Sequence, residues 1–129
     1  GEIRRQGEKI ALLSFGSMLT PCLAAAEELN ATVVNMRFIK PLDDELVASL
    51  ATNHDLLVTV EENTIMGGAG SAVAESLYKK KIYTKILQLG LPDTFIDQGD
   101  HAQMLANCGL DKDGIIDSVN STLSNGSLL

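Results

Sequence analysis

Short apolar runs alternate with longer stretches of mixed character along almost the whole chain, and that alternation predicts the order of its elements. Lys9–Phe15 is nearly all apolar, as in a strand covered on both faces. Glu2–Gln6 before it is polar and reads as an extended edge segment, with Gly7-Glu8 turning between the two as in a hairpin. Gly16-Ser17 ends the second segment, and Ser17 or Thr20 can cap an alanine-rich helix over Pro21–Leu29. Thr32–Phe38 is a β-branched strand broken by Lys40-Pro41-Leu42; Asp43 then caps a helix over Asp44–Ala51, whose first turn is acidic. Asp55–Val60 is the next strand, Ser71–Lys80 a helix ending in lysines, and Tyr83–Leu89 a further strand closed by Gly90-Leu91-Pro92. Asp93–Gly99 is loop-like, His101–Asn107 and Asp113–Leu123 are two short helices, and Ser124–Leu129 is a loose tail after a domain spanning residues 1–123.

After the first edge segment the order is strand, helix, strand, helix, strand, helix, strand. This is the rhythm of an α/β domain with a mostly parallel sheet and helices on both faces. There is no internal repeat and no interdomain linker. At 129 residues the chain is one domain, large enough to bury a core. The opening at Gly1, with strand-like sequence almost at once, suggests a piece of something longer, and no apolar run resembles a signal peptide or a membrane span.

The net charge of −7 changes the choice of partners. Acids dominate from Asp93 onward, while the bases cluster in the first forty positions and in Lys79-Lys80-Lys81. Without a basic face, and with only 4% aromatic residues to stack on bases, nucleic acid drops out as a partner. Cys22 and Cys108 are far apart and form no C-x-x-C, which fits two unpaired thiols in a reducing compartment, the cytoplasm. Cys22 lies in a helical pattern and reads as a small packed hydrophobe; Cys108 lacks an orienting third group beside His101.

The chain is organised around Thr59–Ser71. An apolar run delivers Glu61 and Glu62, a short loop follows, and then three glycines (Gly67, Gly68, Gly70) open a helix. Such a strand–turn–helix is where α/β proteins place their working surface. A phosphate cradle is the tempting reading, yet the glycines match neither G-x-G-x-x-G nor a P-loop, and two carboxylates would repel a polyphosphate. The favoured reading is a tight turn whose carboxylates anchor neighbouring backbone. Adjacent strand residues face opposite ways, so Glu61 and Glu62 make no acid/base pair unless the strand has ended. Arg37 and Lys40 read as surface ion-pair partners, His54 has no metal set around it, and His101 is an exposed first-turn residue. No serine stands in a G-x-S-x-G elbow. The residues describe an α/β domain without a self-sufficient catalytic constellation.

Phe15-Gly16-Ser17, Asn35-Met36-Arg37-Phe38-Ile39-Lys40-Pro41-Leu42-Asp43, Val58-Thr59-Val60-Glu61-Glu62-Asn63 and Met66-Gly67-Gly68-Ala69-Gly70-Ser71 occur in that order. Together they resemble the C-terminal domain of transketolase-family thiamine enzymes. Leu89-Gly90-Leu91-Pro92-Asp93, with Gln98-Gly99 behind it, narrows the resemblance to synthases that condense pyruvate with glyceraldehyde 3-phosphate and release carbon dioxide. The resemblance covers Glu2 to about Leu123. It implies a three-layer α/β/α domain with a five-stranded mixed, mostly parallel sheet and one antiparallel edge strand, the first strand lying beside the third.

For the whole enzyme the resemblance implies thiamine diphosphate, magnesium and a homodimer. It also implies that the catalytic and cofactor residues belong to preceding domains: the family's G-D-G motif is absent here, so no catalytic, cofactor or metal residue carries over. What carries over is an interdomain or dimer surface formed by Glu61, Glu62, Asn63, Met66, Gly67, Gly68 and Gly70. The carboxylates and amide would make polar contacts there, and the glycines would let backbones approach. Transketolase itself, the β-subunit of a 2-oxoacid dehydrogenase, and a free-standing small-anion-binding module are the alternatives.

Overall fold

The computed structural model describes residues 1–37, 42–64, 68–91, 106 and 108–126, with Asn63 and Thr64 described by their backbone alone. Among the described residues, five strands and four helices follow one another as β1 (Glu2–Arg5), β2 (Ile10–Ser14), α1 (Leu19–Leu29), β3 (Thr32–Asn35), α2 (Asp44–Asn53), β4 (Leu56–Thr64), α3 (Ala69–Lys79), β5 (Lys85–Leu91) and α4 (Lys112–Gly126). The strands form one sheet in the order β1-β3-β2-β4-β5, with β1 antiparallel to β3 and all other pairs parallel. Every residue of β2 is buried, as its continuous apolar run requires at the centre of a sheet covered twice.

Side chains alternate across the sheet and build two cores. Ile10, Leu12, Val33, Val58 and Val60 face α1 and α4 through Cys22, Ala25, Ala26, Ile115 and Val119. Ala11, Leu13, Val34 and Leu57 face α2 and α3 through Val47, Leu50, Val73 and Leu77. This is the three-layer α/β/α architecture with a mixed five-stranded sheet and an antiparallel edge strand.

Several local expectations need correction. The first two strands are not a hairpin: Gly7 packs so closely against the next layer of chain that a β-carbon there would lie 2.2 Å from the Asn30 carbonyl oxygen. This close approach carries the chain past β3, leaving β1 paired with it in the register Glu2↔Asn35 and Ile3↔Val34. Neither Ser17 nor Thr20 caps the first helix, which starts at Leu19 after Met18 with no side-chain cap. Asp43 does cap α2, accepting from the Leu46 N–H at 3.2 Å. α4 runs through Gly126, so Ser124–Gly126 belong to a helix rather than to a tail. The expected helix at His101–Asn107 lies outside the described residues, apart from Ala106.

Candidate interdomain surface

β2 sits between β3 and β4, and the chain leaves β2 for one neighbour and later returns on its other side. The helices that follow β2 and β4 lie on opposite faces of the sheet. The carboxyl ends of β2 and β4 therefore form a topological switch point, the crevice where open α/β sheets receive ligands. Gly16-Ser17 lines one side of it, and the stretch from Glu61 lines the other.

β4 is irregular here: between the pairs Val60↔Leu89 and Thr64↔Leu91 it spends four steps where β5 spends two. A bulge of this kind re-aims side chains at the end of a strand. Glu61 points under α3, where it is 1% exposed, and accepts from the Ala69 N–H at 3.0 Å and the Gly70 N–H at 2.8 Å. α3 has Gly68 as its N-cap and no side-chain cap of its own, so a carboxylate eight residues earlier satisfies its first amides and its positive dipole end. Glu62 reaches across the crevice instead. Its Oε1 accepts from the Ser17 hydroxyl at 2.8 Å and from the Ser17 N–H at 3.4 Å. The turn it meets contains Gly16 at φ 69°, a conformation suited to glycine.

Gly70 is needed for contact. A β-carbon there would sit 2.6 Å from Thr59 Oγ1 and 2.7 Å from Gln88 Oε1, two side chains paired across β4 and β5. Both of these oxygens are buried, and among the described residues neither has a hydrogen-bond partner. Met66 and Gly67 lie outside the described residues, as does Lys40, and Asn63 is known here only as backbone at the end of β4.

The remaining candidates have local tasks. Arg37 pairs with Glu2 at 3.6 Å, both side chains being more than half exposed, the surface ion pair expected of it. The His54 ring bridges Leu50 O (Nδ1, 2.8 Å) and Thr32 Oγ1 (Nε2, 2.9 Å), and the same hydroxyl oxygen accepts from the Gly7 N–H at 2.9 Å. Cys22 is fully buried in the core, and burial pushes its thiol up to about 12, which leaves no thiolate for nucleophilic work. Cys108 is half-buried against the same core.

Among the described residues no three histidine, cysteine or carboxylate side chains cluster to hold a metal, and no helix is long and apolar enough to cross a membrane. The amides that would meet a phosphate at α3 are held by Glu61. These residues do not fit a thiamine diphosphate and magnesium site.

The family model described as transketolase, C-terminal domain, matches residues 1–115, and the chain belongs to that family. More particularly, it is 72% identical over 119 residues to the 1-deoxy-D-xylulose-5-phosphate synthase of Nitrosospira multiformis, covering 92% of this chain and 19% of the relative. It is 71% identical over 124 residues to the enzyme of the same name from Nitrosomonas europaea, covering 96% of this chain and 20% of that one. A solved structure described as a split gene transketolase, inactive beta4 tetramer, superposes with a TM-score of 0.86 at 30% identity, over 95% of this chain and 41% of that one. The chain spans about a fifth of the length of the curated relatives it matches.

Proposed function

We propose that this chain is the C-terminal domain of a 1-deoxy-D-xylulose-5-phosphate synthase. The whole enzyme would use thiamine diphosphate and magnesium to join pyruvate to glyceraldehyde 3-phosphate with loss of carbon dioxide. It would work as a homodimer in a reducing compartment, the cytoplasm. The observation that carries this reading is the 72% identity to a relative of that name over nearly the whole chain. Within the enzyme the domain braces and does not catalyse. Two features support that role: Glu61 occupies the amides of α3, and Glu62 with Ser17 bridges the switch-point crevice. The surface at this end, with Glu62 and Gly68 on it and Glu61 and Gly70 shaping it from beneath, faces the preceding domains and the second subunit. Because β1 is antiparallel, Glu2 lies beside Asn35 at the carboxyl end of β3, and residues ahead of Gly1 would emerge beside this same surface.

The test begins with an immunoblot of source cells using an antibody to this chain. A band several times larger than 13.8 kDa is expected, and a band at that mass would overturn the reading. The full-length protein should then turn over pyruvate with glyceraldehyde 3-phosphate, while the isolated 129 residues should not. Replacing Gly68 by leucine in the full-length protein should weaken the dimer and slow turnover; an unchanged dimer with unchanged turnover would sink the interface assignment.

A further inference from the structure

Tyr78-Lys79-Lys80-Lys81-Ile82-Tyr83-Thr84-Lys85 carries four of the ten lysine and arginine residues of a chain whose net charge is −7. It joins the end of α3 to the start of β5. Lys85 pairs with Leu56, the first residue of β4, so the segment lies at the amino end of the sheet, opposite the glutamate surface.

Its backbone is fixed. The Lys81 N–H donates to Tyr78 O and the Ile82 N–H to Leu77 O, both at 3.0 Å, and Ile82 packs on the core that contains Leu77. This is the Schellman closure of a helix, whose left-handed position favours glycine. Here it holds Lys81 at φ 59°, so the chain accepts backbone strain to present a cation. Around it Tyr78 is 73% and Tyr83 80% exposed, the two most exposed large hydrophobic side chains among the described residues. Lys79 has Glu75 at 3.2 Å; Lys80, Lys81 and Lys85 make no ion pair among the described residues.

We propose that this tip is a docking surface for an acidic peptide segment of a partner protein. The charge complementarity is local. At physiological ionic strength screening sets in over about 8 Å, so a short acidic segment feels the lysines and little of the acidic remainder. A duplex or an anionic bilayer would extend past the tip and meet that remainder. Each lysine ammonium is a compact point charge on a flexible stem, able to pair with carboxylates spaced along a short segment. The two phenol rings supply flat contact area that is apolar on its faces and polar at its tip. A partner bound here leaves the opposite end of the sheet free, so the inference stands independently of the enzymatic reading.

The experiment is fluorescence anisotropy of a labelled decapeptide of alternating aspartate and glutamate, titrated with the protein at its natural length. Saturable binding that weakens as salt is raised is expected. Combining Lys80→Gln with Lys81→Gly should weaken it about tenfold, and since Lys81→Gly relieves the left-handed strain, the variant should melt no lower than the wild type. Tyr78→Ser with Tyr83→Ser should weaken binding severalfold, and Arg4→Gln, on the far edge of the sheet, should leave it unchanged. Absence of saturable binding, or equal affinity in the lysine variant, would overturn the proposal. So would tighter binding of the tip to a thymidine decanucleotide or to phosphatidylserine vesicles than to the peptide.

Discussion

Glu61 and Glu62 carry the same side chain one step apart on one strand. The first is 1% exposed and holds the opening turn of its own helix; the second joins a turn 45 residues away. The bulge in β4 and the lack of a cap on α3 make the difference. In the low dielectric beneath α3 a carboxylate meets two amides that have no other partner among the described residues, and such charge-assisted bonds are strong. Across the crevice the same group meets a hydroxyl within reach of water, which can replace either partner. Position therefore decides whether a glutamate is part of the fold or part of the surface.

Glu61→Ala should break this contrast most severely. It strands two helix amides and opens a buried space, and should cost about 3 kcal/mol of stability in urea unfolding, with a loss below about 1 kcal/mol contradicting the clamp. Gly70→Ala comes next at about 2 kcal/mol, since its methyl group collides with Thr59 and Gln88 and the cost is one of overpacking. Glu62→Ala should cost less than about 1 kcal/mol while shifting the Gly16 and Ser17 amide resonances; a loss as large as that of Glu61→Ala would erase the distinction. Thr59→Val sharpens the buried side of the comparison. It exchanges an unpartnered hydroxyl for a methyl of the same shape and should change stability by no more than about 0.5 kcal/mol, toward a higher melting temperature.

The sheet and its helices were legible because apolar runs such as Ile10–Leu13 and Leu56–Val60 can be satisfied only at a covered centre. The anchoring role of the carboxylates was legible too, since the glycine loop matched no phosphate motif. The bulge was not, because backbone irregularity leaves no residue pattern in Glu61-Glu62-Asn63. A signal for the Glu61 clamp did exist: a helix opening at Gly68-Ala69-Gly70 has no capping side chain of its own and must borrow one. Gly7 misled for the opposite reason, since a glycine that permits close approach looks in sequence like a glycine that turns. Lys81 concealed the helix closure because a lysine stands where glycine is expected.

The pairing of β1 with β3 also sets an order in time. A ribosome releases Glu2–Arg5 roughly thirty residues before the partner strand Thr32–Asn35, a wait on the order of seconds at ordinary rates of synthesis. During it the segment has nothing to pair with, and its run of Glu2, Arg4 and Arg5 keeps it in water and away from other nascent strands. Held by a single neighbour at the edge of the sheet, its amides should be among the first to exchange when the finished domain breathes.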